Sequence, residues 1–148
     1  MLIVPVSRLD SPPVDGIHWK TLSDNQLQQW EELWAGLQQD SASWEDPRWQ
    51  TLLSLDDSYA PATHAAAQQA WFAGQKEVAR ALWNQAQEMS PPSRSIRMPA
   101  SFGDWIVATG TEAEVPVLDL RPIWKEAAEE KDIPAGDLFL DAVHFNER

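Results

Sequence analysis

The sequence predicts an α/β fold that is mostly helical by residue count. Three observations carry that expectation. A continuous apolar run opens the chain at residues 2–6, and a second one occupies residues 115–120. Runs of this length and composition suit buried parallel strands. Between and after them the apolar residues recur at helical spacing, punctuated by Pro and Gly. With 148 residues, 43% of them apolar, the chain can bury one ordinary core.

The elements follow in order. After the first strand, Pro12, Pro13 and Gly16 mark a loop. Ser23 and Gln26 have the spacing of a capping box. Leu27, Trp30, Leu33, Trp34 and Leu37 then form one helical stripe. Asp46 followed by Pro47 predicts a cap and a first-turn proline, opening a helix that carries Trp49, Leu52, Leu53 and Leu55. Residues 59–73 are alanine-rich and helical, Gly74 breaks them, and residues 77–89 form the next helix. Pro91 and Pro92 end it. Residues 98–109 form a further helix with Phe102, Trp105 and Ile106. Pro122 opens a helix reaching Lys131, and Pro134 and Gly136 mark a loop before the closing residues.

Two helical hairpins thus lie between two strands. Ala67, Gly74, Ala79, Trp83, Ala86 and Pro91 have the small-small-small-aromatic-small-Pro order of a tetratricopeptide repeat. A shift of about 34 residues, the period of that repeat, lays Trp83 over Trp49 and Ala86 over Leu52, but Ala79 over Glu45. The segment 23–92 therefore resembles one good repeat preceded by a degenerate one. Two repeats are fewer than the roughly three that stand alone, so the flanking α/β segments are the expected support.

Composition narrows the function. A net charge of −12 repels phosphate backbones and anionic lipid, which argues against nucleic-acid and membrane-surface roles. The absence of Cys removes disulfides, thiolate metal sites and a Cys nucleophile. With three His, a metal site would lean on carboxylates, and no EF-hand loop is present; no cofactor is expected. No apolar run reaches the ~18 residues of a membrane span. The opening run is short and lacks the basic flank of a signal peptide, and the compartment stays open. Nine tryptophans could form a sugar-stacking platform; packing between helices is the plainer expectation. His64 sits on the alanine-rich helix face and reads as packing. Glu126, Glu129, Glu130 and Lys131 read as a solvated helix face, and Arg94 and Arg97 as a solvated turn. His18 lies far in sequence from the chain's last histidine, His144.

The chemistry concentrates in the last residues. An apolar run, Leu138-Phe139-Leu140, delivers Asp141, and His144 follows three residues later. That spacing suits a carboxylate that orients an imidazole, which a hydrolytic base requires. The block 136–146 resembles the last conserved block of the SGNH (GDSL-type) hydrolases. Residues 115–121 resemble the strand that enters it. Residues 4–13 resemble a strand-loop of a branch that carries a tetratricopeptide-like helical insertion, although that branch has Asn where this chain has Arg8.

The resemblance implies a partial three-layer parallel-sheet fold with an inserted pair of helical hairpins. Residues 1–22 with 93–148 would form the carboxy-terminal half of the α/β domain, and 23–92 the insert. It implies that His144 is the general base and Asp141 its orienting carboxylate. The substrate class would be an ester of an acylated carbohydrate or lipid. The family's Gly-Asp-Ser-like nucleophile block and its Gly and Asn oxyanion blocks have no counterpart among the 148 residues. Ser7 follows a strand but lacks a glycine-rich elbow. The chain is therefore expected to be inactive alone, to need an amino-terminal half, and to expose apolar sheet surface that binds a hydrophobic dye. The alternative is an interaction module in which the hairpins hold a protein partner and no chemistry occurs.

Overall fold

A computed structural model describes residues 1–5, 12, 13, 16–90 and 100–130, the last stretch with side chains at 101–127. The element order is β1 (Leu2–Val4), α1 (Asp24–Gln39), α2 (Pro47–Leu55), α3 (Ala60–Phe72), α4 (Lys76–Met89), α5 (Ala100–Glu112), β2 (Val117–Asp119) and α6 (Arg121–Glu130). The described residues are mostly helical, with one small parallel sheet. It divides into two compact units, Met1–Ser11 with Ser95–Arg148, and Pro12–Arg94.

In the helical unit, local sequence sets the helix ends. Ser23 caps α1 in a complete capping box, its hydroxyl accepting from the Gln26 N–H while the Gln26 side chain bonds back to the Ser23 N–H at 3.0 Å. Asp46 caps α2, with Pro47 in the first turn, where no N–H is needed. At the end of α3, Gly74 adopts φ +78°, and two bonds close the turn: Gly74 N–H to Trp71 C=O at 3.0 Å and Gln75 N–H to Ala70 C=O at 2.8 Å. This left-handed cap needs a residue without a Cβ penalty, which is why the alanine-rich run stops there.

The unit's core is Trp30, Leu37, Trp49, Leu52, Ala62 and Ala66, from α1, α2 and α3. Burying each of the two leucines contributes about 1.5–3 kcal/mol. Small residues set the next layer: Ala67 and Ala70 of α3, and Ala79 and Ala86 of α4, are fully buried. Short side chains let the two backbones approach, and Trp83 fills the remaining volume at 3% exposure. The Trp71 and Trp83 rings lie 5.6 Å apart.

The segment ahead of Ser23 is bonded to this unit. The N–H groups of Trp19 and Lys20 donate to the Ser58 hydroxyl at 2.9 and 3.1 Å. The Trp19 indole donates to the Met89 carbonyl at 2.7 Å.

In the other unit, β1 and β2 pair in parallel, with Leu2 opposite Val117, Ile3 opposite Leu118 and Val4 opposite Asp119. Side chains alternate between faces. Leu2, Val4 and Val117 meet α5 at Gly103 and Gly110. Ile3 and Leu118 point the other way and are 49% and 40% exposed. One sheet face is thus covered by α5, and apolar surface remains on the other. Both strands are shorter than the apolar runs, ending at Val4 and Asp119, and α5 extends three residues past the expected Thr109.

α5 ends in the same cap geometry as α3, but without glycine. Glu114 takes φ +56°, with its N–H on Thr111 C=O and the Val115 N–H on Gly110 C=O at 2.8 Å. A Cβ at this position costs about 1–2 kcal/mol. Part of the relief from removing it is offset by greater freedom of the unfolded chain. Glu114→Gly is therefore expected to stabilise its unit by about 0.5–1 kcal/mol. Thermal unfolding measures it, and a lower midpoint would contradict the strain assigned to Glu114.

Candidate functional site

Asp141 and His144 lie outside the described residues, as do Ser7, Arg8, Arg94 and Arg97. The described residues bring together charged clusters of two other kinds.

The first is at the carboxyl end of β2. In parallel sheets this end is where ligand-binding loops gather. Asp119 is the last strand residue, and its carboxylate accepts the Arg121 N–H at 3.0 Å as α6 begins. The Arg121 guanidinium returns to Asp119 through Nε at 2.9 Å and Nη2 at 2.8 Å. Its Nη1 reaches Asp104 of α5 at 2.7 Å. The fork therefore ties β2, α5 and α6 to one another. It is engaged by two carboxylates, so its charge serves the fold rather than an anionic substrate. Asp46, Arg48 and Asp40 form the same arrangement at the start of α2, with Arg48 Nη1 on Asp40 at 2.7 Å. Both motifs follow from local sequence, an Asp two residues ahead of an Arg at a helix start.

The second cluster is centred on Asp56, at the end of α2. Its side chain is fully buried. His18 Nδ1 donates to Oδ2 at 2.6 Å. The Ser58 N–H and hydroxyl both donate to Oδ1, at 2.8 and 2.5 Å. The His18 ring stacks on Tyr59 with centroids 4.6 Å apart, and the edge of Trp30 meets it at the same distance. The Trp30 indole donates to the Asp56 carbonyl at 3.3 Å. His18 Nε2 has no hydrogen-bond partner among the described residues, and it is not an enclosed atom. This is a carboxylate-oriented imidazole: a buried anion fixes one ring nitrogen and leaves the other at the surface.

Burial pushes the Asp56 carboxyl up, but the Ser58 hydroxyl, the His18 ring and the Ser58 N–H together outweigh it and hold the group below the usual carboxylate range. Bonds from Arg48 lower Asp46, and bonds from Arg121 lower Asp119. A carboxyl depressed by folding contributes stability that is complete above its unfolded pKa and lost as pH falls through its folded one. The chain is therefore expected to hold its stability down to about pH 4 and to lose it below. Urea midpoints across a pH series measure this, and flat midpoints from pH 5 to 2 would contradict it.

His18 was not singled out in the sequence because its partner lies 38 residues away. One local signal was present: Asp56 and Ser58, just past a helix end, have the spacing of an Asx turn. His64 is 3% exposed, its ring 6.4 Å from that of Trp83. Of the nine tryptophans, Trp19 and Trp105 are more than half exposed, one in each unit. The others are buried or half-buried, so packing explains most of them. Among the described residues, no group of three His, Asp or Glu could hold a metal ion, and no helix is long and apolar enough to cross a membrane. Comparison of the chain with family models, with curated proteins and with solved structures finds no match.

Proposed function

We propose that this chain contributes the Asp–His part of an SGNH-type ester hydrolase. The observation that supports the reading is the parallel pairing of β1 with β2, residues more than a hundred positions apart, under a covering helix. Parallel strands need a crossover connection, and here the helical hairpins and α5 lie within it. At the carboxyl end of β2 the chain enters α6 at Arg121. In this reading His144 takes the proton from a serine hydroxyl as that oxygen attacks an ester carbonyl. It then returns a proton to the leaving alcohol. Asp141 accepts a hydrogen bond from the other ring nitrogen and stabilises the imidazolium. In this reading the serine and the oxyanion donors lie outside these 148 residues, because no Gly-Asp-Ser block occurs among them.

The test is hydrolysis of a short-chain aryl ester by this chain, alone and combined with any amino-terminal partner that carries a Gly-Asp-Ser-like block. Activity should exceed that of either partner alone and fall about 10³-fold or more in His144→Ala, since triad members act as a unit. Full activity in His144→Ala would refute the assignment.

A second reading has one observation in its favour. Ala67, Ala79, Trp83 and Ala86, placed as in a tetratricopeptide repeat, are all buried between α3 and α4. That packing suits a hairpin that presents its outer residues to a partner. Phe72, at the end of α3, is 81% exposed. In this reading a purified partner would lose affinity on Phe72→Ala and keep it on His144→Ala.

A further inference from the structure

The Asp56–His18 pair is not used by the proposed hydrolase, which relies on His144. We infer that His18 is an acyl-accepting imidazole, with Asp56 as its positioning residue, and that it turns over activated aryl esters independently of His144. Four observations carry this. Asp56 Oδ2 takes the Nδ1 hydrogen at 2.6 Å, so the neutral ring keeps its lone pair on Nε2. Oδ1 is saturated by Ser58, so Asp56 cannot swing away. Tyr59 and Trp30 clamp the ring from a face and an edge, which fixes the direction of that lone pair. Nε2 itself is neither bonded among the described residues nor enclosed. His64 is buried and offers no competing imidazole.

The chemistry balances without a cofactor. The Nε2 lone pair attacks the ester carbonyl carbon, and the bond to the aryl oxygen breaks, releasing an aryl oxide. The ring then carries the acyl group on Nε2, the hydrogen on Nδ1 and one positive charge, which faces the Asp56 carboxylate. Water attacks the acyl carbon, the N–acyl bond returns its electron pair to Nε2, and a carboxylate leaves. One ester and one water give a carboxylate, an aryl oxide and two protons. The substrate class is aryl esters, because a stable aryl oxide is the leaving group an imidazole can expel. Ser58 takes no part, because its hydroxyl donates to Asp56 and accepts from two backbone N–H groups.

The inference does not rest on the hydrolase reading, and the experiment keeps the two apart. The intact chain, without any partner, is mixed with 4-nitrophenyl acetate. Nitrophenolate release is followed, and acid-quenched peptides are mapped by mass. The expected result is release faster than from free imidazole at equal concentration, with acetyl on the peptide containing His18. His18→Gln should remove the rate although His144 is intact. Asp56→Asn should slow acylation about 10-fold or more. The same variant should shift the neutral His18 ring toward the Nε2–H form, read from its ¹⁵N shifts, an effect that a purely structural role for Asp56 would not require. Acetyl absent from His18, a rate no greater than that of free imidazole, or a tautomer unchanged in Asp56→Asn would each overturn the inference. The mass map and the rate are read on the wild-type chain, so neither depends on a variant folding.

Discussion

Asp56→Ala is expected to destabilise the helical unit by about 3 kcal/mol. The carboxylate is fully buried and accepts three hydrogen bonds, from His18 and twice from Ser58. Bonds to a charged acceptor contribute about 1.5–3 kcal/mol each, and part of that sum is offset because the variant no longer desolvates a charge. What remains is a Ser58 N–H without its acceptor in a buried turn, which costs about 1–3 kcal/mol. The effect spreads, because the Ser58 hydroxyl is also the acceptor for the Trp19 and Lys20 N–H groups. Its orientation is set by its own donation to Asp56. Loss of the carboxylate therefore loosens the segment that carries His18. Urea unfolding followed by tryptophan fluorescence measures the loss, since Trp30 touches His18. Asp56→Asn keeps an oxygen for Ser58 and should lose about 1 kcal/mol. A change below 1 kcal/mol in the alanine variant would show that the network contributes little.

Gly110→Ala is expected to destabilise the sheet unit by about 2 kcal/mol. A Cβ at Gly110 would overlap Val117 Cγ2 and lie 3.3 Å from Leu2 Cδ1. Val117 is β-branched and fixed in a paired strand, so it cannot turn aside. Either α5 lifts off the sheet or β2 shifts, and overpacking of this kind costs about 1–3 kcal/mol. Better helix propensity returns at most about 1 kcal/mol. Gly36→Ala is the control. There the nearest atom is the flexible end of Arg48 at 3.2 Å, so the propensity gain should prevail and the helical unit should gain about 0.5–1 kcal/mol. Amide exchange in β1 and β2 reads the first effect, and thermal unfolding reads the second. Slower exchange in Gly110→Ala would contradict the close approach of α5.

Most of the secondary structure was legible because its causes are local. The Ser23–Gln26 box, the Asp46-Pro47 start and the Gly74 stop each act within one helical turn, and each lies where the sequence puts it. Two helix ends were not legible. Ser41 and Glu114 take the left-handed conformation that glycine favours, at φ +48° and +56°. Nothing in their residue type announces it; the surrounding carbonyls impose it. The strands were overestimated in length because apolar composition marks a buried segment, whereas a strand ends where its partner does.

The candidate sites divide in the same way. Asp141 and His144 were picked out by a three-residue spacing and a resemblance, both properties of contiguous sequence. No contiguous signal joins His18 to Asp56, because residues 38 positions apart meet only when the Trp19 and Lys20 N–H groups dock on Ser58. By itself the sequence determined the helices, their caps and the order of two strands around them. Only the tertiary structure decided which strand residues stand opposite each other, that α5 approaches them through Gly110, and that one buried carboxylate orients the His18 imidazole. The reason is physical: caps and periodicities are satisfied within a turn of chain, but a buried charge is satisfied by whichever donor packing brings to it.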